Sequence, residues 1–187
     1  MKKILSVLMV LVLVCSSMLM LVACGGDGGN GGVNPDDITL GSLTEKPEDY
    51  SVFSNEYVTF YYPSSWESNK SSDDIGYVAD MTTGLTFLAS VAQTNNEKPD
   101  SIVEDLRRHV IEDVPDDITG VMVSEVTMIK ENVYTFEQSF NGQTTTFLYV
   151  FSVNDDGNAI CYIETRYSIG HNMEQITTII NSIQFAN

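Results

Sequence analysis

The chain has 187 residues and carries 26 Asp and Glu against nine Lys and Arg, a formal net charge of −17. An acidic excess of that size is repelled by phosphate backbones and anionic lipid surfaces, which argues against nucleic-acid binding. The surface it implies is soluble and non-sticking, or else attractive to a basic partner or a divalent cation.

The first three residues, Met1-Lys2-Lys3, carry two positive charges. An apolar run follows from Ile4 to Ala23, interrupted only by Ser6, Ser16 and Ser17. A basic start followed by an apolar stretch has the physical make-up of a secretory signal. The run ends Leu21-Val22-Ala23-Cys24-Gly25-Gly26, which resembles the lipobox of bacterial lipoproteins. The resemblance implies cleavage between Ala23 and Cys24, and a diacylglycerol and palmitate-type anchor on the Cys24 sulfur. An uncleaved membrane helix is the alternative, since about 20 apolar residues suffice to span a bilayer. Both readings place the rest of the chain on the extracytoplasmic face of the cell membrane. Without residues 1–23 the chain keeps seven basic and 26 acidic side chains, a net charge of −19 over 164 residues.

Residues 24–48 read as a linker, with six glycines among the eight residues 25–32 and then Asn34-Pro35-Asp36-Asp37. Glycine makes such a stretch flexible and charge keeps it solvated. Residues 49–187 are enough for one domain with its own core. Glu56–Tyr62 is rich in aromatic and β-branched residues and stops at Pro63, the pattern of a strand. Ile75–Asp80 and Leu85–Ala92 read as further strands.

Pro99-Asp100-Ser101 opens a helix, with Ser101 and Glu104 as a capping box. Ile102, Val103, Leu106 and Val110 form its apolar stripe, and Pro115 lies beyond its end. Four strands follow. Val121–Ile129 is the first, and Val133–Phe140 puts Tyr134, Phe136 and Phe140 on one face. Asn141-Gly142 is a hairpin signal. The return strand is apolar on both faces, with Phe147, Tyr149, Phe151 and Val153 on one and Leu148 and Val150 on the other. A strand of that kind belongs in the middle of a sheet. Asp156-Gly157 turns into the last of the four, Ala159–Tyr167. A final helix carries Met173, Ile176, Ile179, Ile180 and Ile183 on one stripe, with Asn172 as its cap. The expected class is α+β, an antiparallel sheet of about six to seven strands flanked by two main helices.

The segment Tyr61-Tyr62-Pro63-Ser64-Ser65-Trp66, the later meander and the closing Asn181-Ser182-Ile183-Gln184-Phe185 together resemble the PsbP-like fold. That resemblance implies an α/β/α sandwich over about residues 50–187. It also implies a role in binding or assisting other proteins, and it carries no functional residue over to a position here.

Motifs for catalysis are missing: there is no Gly-x-Ser-x-Gly, no His-Glu-x-x-His, no phosphate loop and no Cys pair. Cys15 lies in the signal and Cys24 is the lipid site. Cys161 therefore stands alone in an apolar strand, where a buried, inert thiol is expected. His109 and His171 have no partner at ligand spacing, and Trp66 reads as a core plug. Asn154-Asp155-Asp156-Gly157-Asn158 begins like a calcium loop, but its twelfth position is Thr165 rather than Glu, so a hairpin turn is expected. Glu112, Asp113, Asp116 and Asp117 bracket Pro115 and are the weak candidates for a metal. The reading is a lipid-anchored, non-catalytic binding or accessory module for another envelope protein, with no cofactor. Its rivals are a hydrolase with a dispersed acidic site and a weak divalent-cation binder.

Overall fold

The computed structural model describes residues 33–70, 75–80, 85–90, 97–168 and 172–186. The segment expected to be a signal, Cys24 and His171 lie outside them. The strands are β1 (Tyr50–Ser54), β2 (Val58–Pro63), β3 (Glu67–Lys70), β4 (Ile75–Asp80), β5 (Leu85–Ser90), β6 (Met122–Val123), β7 (Thr127–Lys130), β8 (Val133–Phe140), β9 (Gln143–Val153), β10 (Ala159–Ser168) and β11 (Gln184–Phe185). The helices are α1 (Pro99–Glu112) and α2 (Met173–Asn181). All strand pairs are antiparallel.

An eight-stranded sheet runs β3-β4-β5-β10-β9-β8-β6, with β7 also on β8, and β1-β2-β11 form a smaller three-stranded sheet. The protein is thus α+β and mostly β, but its strands divide between two sheets rather than forming one of six to seven. The small sheet arises because β1 and β11 pair with β2, and two further segments add strands to the large sheet. Glu67–Lys70 has no apolar pattern, so β3 is invisible to periodicity and forms through its backbone pairing with β4. Val121–Ile129 breaks into β6 and β7, because Ser124 pairs with Glu137 through its own backbone and side chain. The Ser124 N–H donates to the Glu137 carbonyl at 2.9 Å, and the Ser124 hydroxyl accepts from Glu137 N–H at 2.9 Å.

β9 lies between β8 and β10, as its two apolar faces require. Leu148 and Val150 join Ile163 and Tyr167 of β10 against Ile176, Ile179 and Ile180 of α2 and against Phe53, Phe60 and Trp66 from the small-sheet region. Phe147, Tyr149 and Phe151 face the opposite way, against Ile102 and Val103 of α1. The two helices therefore cover opposite faces of the large sheet. Glycine matters at Gly76 of β4: a Cβ there would meet the Phe53 ring at 2.5 Å, so its absence lets the small sheet press close to the large one.

The Asn141-Gly142 turn joins β8 to β9 with positive φ at both residues, 51° and 76°, as a type I′ hairpin needs. Phe140, expected with Tyr134 and Phe136, sits at this hairpin tip and is exposed. Asn172 caps α2, its side chain accepting from Gln175 N–H. The Ser101–Glu104 capping box does not form. The N-cap lies three residues earlier, at Lys98, with no side-chain cap. Proline suits the first helical position, having the right φ and no N–H to leave unpaired, so Pro99 draws the start forward. Ser101 N–H then donates to Asp100 at 2.9 Å, and Glu104 pairs with Arg107 at 2.7 Å.

The linker expected over 24–48 is shorter than its composition implies. From Val33 onward the chain lies against the domain, with Val33 and Ile38 buried in the α2-side core. A single 3-10 turn at Pro35–Asp37 is capped by the Asn34 side chain. Val33, Ile38 and the partly buried Leu40 supply the apolar contacts that dock this polar stretch.

Candidate functional site

The polar groups that sequence patterning singles out do not gather. Glu112, Asp113, Asp116 and Asp117 are all exposed at and beyond the end of α1. Glu112 lies 3.9 Å from Arg108, and Asp113 is the C-cap, its backbone N–H donating to the His109 carbonyl at 2.9 Å. Among the described residues no three His, Cys, Asp or Glu side chains stand close enough to hold a metal ion. Asn154–Asn158 is the β9–β10 turn: Asn154 Oδ1 accepts from Asp156 N–H at 3.1 Å and Asn158 N–H at 2.9 Å. Thr165 is fully buried well along β10. His109 is exposed, with Nδ1 2.7 Å from the Asp105 carbonyl. Trp66 is buried at the foot of β2, its backbone N–H donating to the Pro63 carbonyl at 2.9 Å.

Cys161 is the free thiol of the described residues, and it is buried. Burial pushes it up to about 11, against smaller opposing hydrogen bonds from Ser152. The thiolate is the nucleophile, so this sulfur is held in its unreactive form.

The structure does assemble one polar cluster that patterning had not singled out. On β10, Glu164 and Arg166 stand two residues apart and so point to the same face. That face is the aromatic one beneath α1. Glu164 is 3% exposed, and Arg166 Nε donates to its Oε1. The Arg166 guanidinium lies 5.0 Å from the Phe147 ring centroid, in a cation–π contact. Glu164 is also hydrogen-bonded to the Tyr149 phenol, which is held well above its ordinary value, chiefly by burial and then by the Glu164 carboxylate. Around these three, Phe136 stacks on Phe147 at 4.7 Å, and Tyr162 meets Tyr149 at 6.0 Å and Phe151 at 5.4 Å. The carboxylate is thus matched by a cation and a phenol donor. A signal for this cluster existed: two charges inside a strand already placed beside the sheet's central strand must be buried on one face or sit at its edge.

A surface groove of about 510 Å³ lies where residues 34–43 cross α2, with Leu43 and Met173 as its apolar part and Asp37, Glu174 and Asn181 among its polar groups.

No family model matches the chain. Over 110 residues, 57% of its length, it is 29% identical to trafficking protein particle complex subunit 13 of Xenopus tropicalis. The chain spans about a quarter, 26%, of that relative's length. Among the described residues no helix is long and apolar enough to cross a membrane.

Proposed function

We propose that this protein is a lipid-anchored, extracytoplasmic lipoprotein whose domain is a non-catalytic binding or accessory module of PsbP-like type, serving another protein of the cell envelope. The observation that carries this reading is the run Leu21-Val22-Ala23-Cys24-Gly25 behind an apolar segment with two lysines at its head. Supporting it, the groups best able to do chemistry are inactivated by their surroundings. The Cys161 thiol is buried and held protonated, and the buried Glu164 carboxylate is matched by Arg166 and Tyr149. A central antiparallel sheet with helices on opposite faces supports the PsbP-like assignment. The curated relative is by its name a subunit of a complex, in keeping with a protein that works by assembly.

The test is expression of the full chain in a bacterial host fed an alkyne-bearing palmitate. Wild type should take up the label and yield a mature N-terminus at Cys24, whereas Cys24→Ala should take up none. A wild-type product without lipid would refute the anchor. Cross-linking in intact envelopes should then trap a specific protein neighbour, and its absence from repeated captures would refute the accessory role.

A further inference from the structure

Residues 34–43 and α2 frame the surface groove of about 510 Å³, and both of its walls are fixed. Ile38, fully buried in the α2-side core, anchors the crossing segment. Asn181, at the end of α2, ties that segment to the helix. Its Nδ2 donates to the Asp37 carbonyl at 2.9 Å, its Oδ1 accepts from Thr39 N–H at 2.6 Å, and its backbone carbonyl accepts from Leu43 N–H at 3.1 Å. The groove therefore exists before anything enters it, and a preorganised site loses less free energy on binding.

Its lining combines two features. Leu43 and Met173 supply apolar surface, and methionine is flexible and polarizable enough to fit varied side chains. Asp37 and Glu174 line the same groove, and neither carboxylate has an ion-pair partner among the described residues. Each lysine and arginine whose side chain is described is engaged elsewhere. Lys46 donates to the Tyr50 carbonyl, Lys98 to that of Asp156 and Lys130 to that of Ile38. Arg107 and Arg108 pair with carboxylates of their own helix, and Arg166 pairs with Glu164. The negative field is felt nearby: Tyr50, hydrogen-bonded to Thr178 of the groove lining, has its phenol raised chiefly by burial and further by Glu174.

We infer that this groove takes a basic segment of a partner protein, a lysine or arginine side chain laying its aliphatic stem on Leu43 and Met173 and bringing its charged head to the Asp37 and Glu174 carboxylates. This names the partner's chemistry for the accessory role proposed above, and rests on that reading. Long cationic side chains suit such a lining, because their stems cover apolar surface while their heads stay in water. A bare divalent cation is a poorer occupant. It wants several oxygens converging on one point, and no three acidic, His or Cys side chains do so among the described residues. A second copy of this chain is poorer still, because a net charge of −17 makes two copies repel. The same excess draws a basic segment in from a distance, and the two carboxylates fix where it seats.

The test titrates the full chain, in a non-ionic detergent, with a short dye-labelled peptide of alternating lysine and alanine, followed by fluorescence anisotropy. Asp37→Asn/Glu174→Gln should weaken binding about fivefold, as expected for two exposed charge pairs. Asp116→Asn/Asp117→Asn removes as much charge from exposed positions outside the groove and should leave the affinity unchanged. Equal weakening by both double variants would overturn the groove, since it would show attraction to an acidic surface at large. Binding to wild type should also shift the Met173 methyl resonance, a readout that stands even if the groove variant does not fold. Bound peptide with an unmoved Met173 would place the site elsewhere and sink the inference. Spermidine offers ammonium groups without a peptide, and its displacing the peptide at equal charge concentration would overturn a protein segment as the occupant. Absence of peptide binding would refute the groove alone, because the palmitate labelling and the envelope cross-linking decide the anchor and the accessory role separately.

Discussion

The two faces of the large sheet are packed by opposite means. Toward α2 the contacts are largely aliphatic, with Leu148, Val150, Ile163, Ile176, Ile179 and Ile180 all fully buried. Toward α1 they are aromatic rings with a buried ion pair among them. An aliphatic core depends on shape alone and tolerates volume-conserving change. A core holding a charge depends on the charge staying matched, and an unpaired buried ion costs far more than the pair gains. The α2 face should therefore fail gradually and the α1 face abruptly.

The largest effect should come from Arg166→Met, which leaves Glu164 buried without its cation and should cost about 3 kcal/mol by denaturant unfolding. The double variant Glu164→Met/Arg166→Met should regain most of that stability, since replacing a buried pair by apolar side chains is often neutral. A double variant as unstable as the single one would show that the face does not depend on matched charge.

Next comes the pH response of the strand shared by both faces. The Cys161 thiol has an ordinary value near 9 and is raised to about 11 by burial. A raised value in the folded protein means that stability is fully present below pH 9 and falls as pH rises from 9 to 11. Two units correspond to about 2–3 kcal/mol. Cys161→Ala should flatten the first part of that fall, before the buried Tyr149 and Tyr167 phenols, also raised, begin to matter. An unchanged slope between pH 9 and 10 would assign the fall to other groups.

Gly76→Ala probes the α2 face. The added methyl would meet the Phe53 ring, itself stacked on Phe60 at 4.8 Å, and overpacking of this kind costs about 2 kcal/mol. Phe53→Leu in the same chain should restore part of the loss if that ring is the obstacle. The smallest effect should be Asn172→Ala, which removes the α2 cap at a cost of about 1 kcal/mol. No equivalent change exists at α1, which begins without a side-chain cap.

Periodicity made the two helices legible, as well as the centrality of β9 and the hairpin at Asn141-Gly142, because each rests on neighbours within a few residues. The same local rules placed Cys161 and Trp66 in the core and read Asn154–Asn158 as a turn. They misjudged the start of α1, where Pro99 outweighed Ser101. They also could not see β3, whose pairing is backbone alone.

What the amino-acid order determined by itself is therefore local: the basic start and apolar run that end at Cys24, the apolar stripes, the turns and the large acidic excess. What tertiary structure alone decided is every long-range pairing. It placed β11 on β2, set Glu164 and Arg166 beneath α1 beside Tyr149, and laid residues 33–43 across α2. Each of those contacts joins residues that come together only once a sheet exists to bring them there, apart from the Glu164–Arg166 spacing itself. In that spacing the strand's period of two wrote the pair into the sequence, while its burial was left to the fold.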